Sequence, residues 1–200
     1  MYEKTAGGKT AGALTVLVNL VLICNLLALG FVPVLAALAG SGIGPERLVE
    51  MLTAAPPEPG EWGIHFSPGM VLFLVLVGGW TENFAYTLVL TLFLLFCGVC
   101  TAVILWQGRK ILGTVRAGSP FCVENARSLR RAAVCCFLIA AASVARVVAW
   151  GLLWYRSAAV LAGYNALFVP VCFISGLLCV VMSHLFLRAA QMREENEFTI

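Results

Sequence analysis

FAYTLVLTLFLLFCGVCTAVILW, residues 84–106, contains no charged side chain. A helix needs only about 20 apolar residues, rising about 1.5 Å each, to cross about 30 Å of hydrocarbon. Three other runs read the same way. Ala13 to Ala39 is free of charge, Ala132 to Trp154 carries Arg146 alone, and Ala166 to Leu187 has His184 as its one basic group. Strands are disfavoured, because an open sheet in lipid leaves edge amides unpaired and the runs lack the in-and-out alternation of barrel strands. The sequence therefore predicts an all-α membrane protein. Its expected form is a four-helix transmembrane bundle with spans at about 13–39, 84–106, 132–154 and 166–187, in one membrane domain over residues 1–200.

Composition agrees. The chain is 61% hydrophobic and 12% charged with a mean hydropathy of +0.95, whereas about a quarter of a soluble globule is charged. The net charge of +3 comes without a basic block, so direct nucleic-acid binding is not expected. There is no Asp and there are only two His, which removes most carboxylate and metal constellations. No catalytic residue, metal site or cofactor is expected, and the chain reads as a non-enzyme. Lys4 and Lys9 ahead of an apolar run ending Ala37-Leu38-Ala39-Gly40 imitate a secretory signal. Such a signal has an apolar core of only about 7 to 15 residues, so the first run is expected to be a retained span.

The placement of cations predicts orientation. Lys4 and Lys9, then Arg109, Lys110, Arg116, Arg127, Arg130 and Arg131, then Arg188 and Arg193 fall on one side of the spans, against Arg47 and Arg156 on the other. Both termini, the 107–131 segment and the 188–200 tail are therefore expected on the cytoplasmic side of the membrane.

The 40–83 loop is then outside, and it is acidic: Glu46, Glu50, Glu58, Glu61 and Glu82 oppose Arg47. Pro45 to Leu52 has the make-up of a short helix, which the prolines of Ala55-Pro56-Pro57-Glu58-Pro59-Gly60 break. Trp62 to Phe66 and Val71 to Val75 flank Ser67-Pro68-Gly69, a type II turn signature that predicts a β-hairpin. Met70 to Val77 reads alternatively as an interfacial helix or an outward extension of the second span, with Gly78-Gly79 favouring a break.

Inside the membrane, Arg146 lies eight residues before Trp154, close enough to snorkel outward, with Trp150 and Trp154 following on its face. The competing reading is an intramembrane ligand or proton site, with Glu82 as an outer partner. His184 reads as packed between helices, with a proton relay as the alternative. Asn19 and Asn25 read as interhelical hydrogen bonders. Cys97-Gly98-Val99-Cys100 and Cys135-Cys136 sit among small residues. They read as soft packing groups, Ala132, Cys136 and Ala140 forming a close-packing stripe.

The polar collar GSPFCVENARSLRR, residues 118–131, has Ser119 as an N-cap and Pro120 at a first helical position, so a helix is expected to begin there. Arg127, Arg130 and Arg131 share one basic face, and Phe121, Asn125 and Leu129 line another. An amphipathic helix of this kind lies at the level of anionic lipid headgroups. The acidic ending Arg193-Glu194-Glu195-Asn196-Glu197-Phe198-Thr199-Ile200 is expected to dock against the arginines.

These two segments resemble the Gly-x-Pro-Phe-x-x-Glu-Asn-x-x-x-Leu-Arg and Glu-Glu-Asn-x-Leu-Thr-Ile elements of a family of small bacterial four-span membrane proteins, catalogued as a domain of unknown function (number 2975). The matching positions are Pro120, Phe121, Glu124, Asn125, Leu129, Arg130, Glu194, Glu195, Asn196, Thr199 and Ile200, with Phe198 where Leu is usual. The resemblance implies a multi-pass bacterial protein with no assigned reaction, often encoded beside a small helix-turn-helix regulator, which is thereby a candidate soluble partner. The expected function is a sensor, regulatory or immunity-type module. The alternatives are a small transporter using Arg146 and His184, and a thiol oxidoreductase using Cys97 and Cys100.

Overall fold

The computed structural model describes residues 2–53, 67–118, 121–153 and 158–197. Six helices follow in order: α1 (Tyr2–Gly40), α2 (Pro45–Thr53), α3 (Pro68–Glu82), α4 (Phe84–Arg116), α5 (Val123–Leu153) and α6 (Ala158–Glu197). Four segments within them, Gly12–Gly40, Phe84–Arg116, Val123–Trp150 and Asn165–Arg193, are long and apolar enough to cross a membrane. These are the four expected runs, but the helices overrun them. Helical hydrogen bonding does not stop where lipid stops, so α4 continues through Gln107-Gly108-Arg109-Lys110 to Arg116. Likewise α6 carries most of the tail.

The chain divides into two compact units, Met1–Leu27 with Phe96–Ile200, and Ala28–Leu95. In the first, α5 and α6 pack against each other. Ser183 Oγ donates to the Ala126 carbonyl at 2.7 Å, and Phe121 meets Phe186, and Phe137 meets Phe173, edge-on at 5.4 Å each. As the residue number climbs on α5 it falls on α6, so the pair is antiparallel. Small side chains make the approach close. Ala132, Cys136 and Ala140, the expected stripe, are buried together with Ala126, Ala133 and Ser143. On α6, a Cβ at Gly176 would come within 3.0 Å of the Phe137 ring. Opposite faces expose Val134, Leu138 and Leu178, the arrangement of a helix whose outer surface is solvated by lipid.

The second unit joins the end of α1 to α2, α3 and the first turns of α4. Ala36 and Ala37 are fully buried, and a Cβ at Gly79 would fall on the Ala37 carbonyl, backbone against backbone. A Cβ at Gly40 would meet Thr87 Oγ1. That hydroxyl donates to the Gly79 carbonyl at 2.7 Å, and Asn83 Nδ2 donates to the Gly40 carbonyl at 2.7 Å. Gly42, at φ 67°, supplies the left-handed residue that commonly follows a helix end.

The loop agrees with expectation in one respect and differs in two. The helix of Pro45 to Leu52 is present, extended to Thr53. Val71 to Val75, expected in a hairpin, is helical: Ser67 Oγ accepts from Met70 N and Pro68 takes the first turn, so Ser-Pro-Gly starts α3 and makes no type II turn. Gly78-Gly79 does not break α3, because Gly79 is needed for the approach to Ala37 and the helix runs on to Glu82. The first half of the hairpin, Trp62 to Phe66, and the 55–60 breaker lie outside the described residues. At 15 residues, α3 is about 22 Å long, too short to cross the hydrocarbon.

Candidate functional site

The collar forms where the end of α4 meets the start of α5. Asn125, only 1% exposed, donates from Nδ2 to Thr114 Oγ1 at 2.6 Å, and Thr114 donates in turn to the Ile111 carbonyl at 2.8 Å. One buried amide thus clamps α5 to α4, while Phe121 and the Ala126 carbonyl tie the same segment to α6 through Phe186 and Ser183. Ser128 is buried beside Asn125, at 7% exposure. Glu124 stands in the first turn of α5, where a carboxylate complements the positive helix end.

The helix starts later than expected. It begins at Val123, with the Cys122 carbonyl accepting from Asn125 N and Ala126 N. Ser119 and Pro120, the expected N-cap and first helical residue, lie outside the described residues. Phe121 therefore precedes the helix, turning toward Phe186, and does not share an apolar line with Asn125 and Leu129. Asn125 is buried, Leu129 half-buried and Phe121 exposed.

Arg127, Arg130 and Arg131 are all exposed, as the spacing predicts. Two cavities adjoin them. A polar one of about 520 Å³ is lined by Lys110, Thr114, Glu124, Asn125, Arg127, Ser128 and Arg131, with Gly113 and Ala117. An apolar one of about 470 Å³ is lined by Val103, Val134 and Cys135 under Arg127, Arg130 and Arg131. Nearby on α4 the Arg109 guanidinium lies 5.7 Å above the Trp106 ring, an aromatic and cation pair of the kind that collects at a membrane interface.

The described part of the acidic tail is not at the arginines. The backbone of α6 is helical to Glu197. From the Ser183 to Ala126 bond, Glu195 lies 12 residues, about 18 Å, in one axial direction, and Arg130 four residues, about 6 Å, in the other. A continuous helix cannot fold back over that distance, so in this conformation the tail and the basic face are separate surfaces. Glu195 is exposed. The side chains of Glu194 and Asn196, and residues Thr199 and Ile200, lie outside what is described.

The intramembrane pair is also separated. His184, expected between helices, is exposed on α6, and Ser183 makes the interhelical bond instead. Arg146 is half-buried on α5, with Trp150 half-buried one turn on; Trp154 lies outside the described residues. Because Ser183 is level with Ala126, Arg146 lies about 30 Å along the helix pair from His184, and the two do not form one site. The side-chain oxygens of Asn19 and Asn25 are buried with no bond among the described residues, unlike the interhelical donors and acceptors expected of them.

All eight cysteines are free. Cys100 of α4 and Cys135 of α5 are neighbours across the two helices, a proximity that the C-x-x-C spacing does not reveal. Among the described residues no group of three His, Cys, Asp or Glu is placed to hold a metal ion. Thr114, Ser128, Ser183 and Gln107 carry polar contacts or burial that sequence reading passed over. Gln107 is 6% exposed, with its Oε1 unbonded among the described residues. A hydroxyl in an apolar span is the one signal that could have marked Ser183.

Residues 59–200 match the family described as protein of unknown function (DUF2975). No curated protein and no solved structure matches the chain.

Proposed function

The chain belongs to the DUF2975 family of proteins of unknown function, and on that premise we propose that it is a non-enzymatic, multi-pass regulatory module of the bacterial plasma membrane. Both termini are cytoplasmic in this reading, and a soluble regulator docks on the acidic end of α6. The observation that carries it is the unbroken course of α6 to Glu197. That course holds Glu194, Glu195 and Glu197 on one helix beyond the collar. An acidic helix end of this kind suits a basic partner, and a helix-turn-helix protein presents a basic face to DNA. Holding that face at the membrane would withdraw the regulator from its operator.

The test is a site-specific photocrosslinker at Met192, exposed on the same end of α6, in native membranes. The expected product is an adduct with a soluble helix-turn-helix regulator, the partner class that the family resemblance implies. Glu194→Lys with Glu195→Lys and Glu197→Lys abolishes it, and Arg127→Gln with Arg131→Gln leaves it intact. An adduct that survives the triple substitution would sink the reading.

A further inference from the structure

The polar cavity and the apolar cavity at the collar share Arg127 and Arg131, so they adjoin as the two ends of one site. Their chemistry follows the polarity of a bilayer. Trp106, half exposed beneath the Arg109 guanidinium, marks the interface on α4. Val103, in the wall of the apolar end, lies three residues and about 4.5 Å deeper; Lys110, in the wall of the polar end, lies four residues and about 6 Å shallower. On α5 the order repeats, with Arg127 and Arg131 at the polar end and Val134 one turn deeper. Each volume, about 520 and about 470 Å³, falls in the range of small-molecule sites.

We propose that this composite site binds one phospholipid with an anionic headgroup. Arg127 and Arg131, with Lys110, hold the phosphodiester, and Val103 and Val134 line a groove for the first part of an acyl chain. Charge complementarity selects an anion, and arginine can engage two phosphate oxygens at once. The apolar end selects a lipid over a soluble phosphate ester, which would leave that groove empty. A polypeptide is disfavoured there, because unpaired backbone amides at that depth have no water to bond. Glu124 refines the headgroup. Its carboxylate on the polar wall repels a second negative charge and accepts a hydrogen bond from a hydroxyl, which favours a phosphoglycerol headgroup over a phosphomonoester. The site is separate from the acidic end of α6, so it neither needs nor competes with the docking proposed above.

The experiment is lipid retention by the full chain in detergent, read by native mass spectrometry against phosphatidylglycerol, phosphatidic acid and phosphatidylcholine. One phosphatidylglycerol per chain is expected, in preference to both others. Arg127→Gln with Arg131→Gln should weaken retention by roughly thirtyfold, at about 1 kcal/mol for each cation. Val134→Trp, which fills the groove and keeps every charge, should also weaken it. Arg116→Gln, which removes a cation from the end of α4 outside both cavities, should not. Glu124→Gln should bring phosphatidic acid level with phosphatidylglycerol. Thermal melting of each variant separates loss of the site from loss of the fold. Equal retention of all three lipids by wild type and variants would reduce the site to annular contact. Displacement of bound lipid by millimolar glycerol phosphate, indifferent to Val134→Trp, would identify a soluble phosphate ester as the occupant. Either result overturns the proposal.

Discussion

The contact among Gly40, Gly79 and Thr87 and the collar around Asn125 rest on the same kind of bond. In each, a side-chain donor on one helix reaches an oxygen on another, at 2.7 Å from Thr87 to Gly79 and 2.6 Å from Asn125 to Thr114. What surrounds the bond differs. Around Thr87, itself fully buried, the neighbours are Gly40 and Gly79, and backbone meets backbone where Gly79 lies on the Ala37 carbonyl. Around Asn125 the neighbours are Lys110, Arg127 and Arg131, whose long side chains spread outward and leave about 520 Å³ between them. Small residues let a membrane helix pair be rigid; charged ones at the same kind of joint leave room for a ligand.

The contrast can be broken at four points. Gly79→Val should have the largest effect, a loss of about 4 kcal/mol or more, because the obstructing atom is the Ala37 backbone carbonyl and cannot rotate away. Denaturant titration in mixed micelles would measure it, and near-wild-type stability would show that the backbones are not truly in contact. Thr87→Val removes the donor to Gly79 with little change of shape, and a loss of about 1 to 2 kcal/mol is expected in the same assay. Asn125→Ala should cost about 0.6 to 1.7 kcal/mol, the range for hydrogen bonds between membrane helices, and should raise hydrogen exchange at the start of α5. Arg127→Gln with Arg131→Gln should change stability least, within about 0.5 kcal/mol, since both side chains are exposed. A large destabilisation there would mean that the arginines hold the helices together and are not free for a ligand.

The spans were legible because lipid imposes one rule on every residue of a run, and runs such as residues 84–106 obey it without exception. Their ends were not, because Gln107 to Arg116 leaves the apolar run without leaving the helix. Ser67-Pro68-Gly69 shows a second reason. A cap and a turn use the same residue types, and what decides between them is whether the following residues pack as a helix, as Val71, Val75 and Gly79 do. The exposure of Arg127, Arg130 and Arg131 followed from local spacing. The bond from Ser183 to Ala126 spans 57 residues and that from Asn125 to Thr114 spans 11 across an interhelical turn, and no local pattern encodes either. The separation of the acidic tail from the arginines has the same origin: opposite charges suggested a contact that only the axial register of α5 and α6 could refuse.

The shortness of α3 has one more consequence, in counting. A 15-residue helix is too short to add a crossing, so four crossings by the four long apolar helices would make the number even, and the proposed topology then predicts Tyr2 and Glu197 in the same compartment whichever way the spans are inserted. Reporter fusions at the two ends should therefore agree with each other in sign. A lengthened α3, able to cross, would make the number odd and set them against each other.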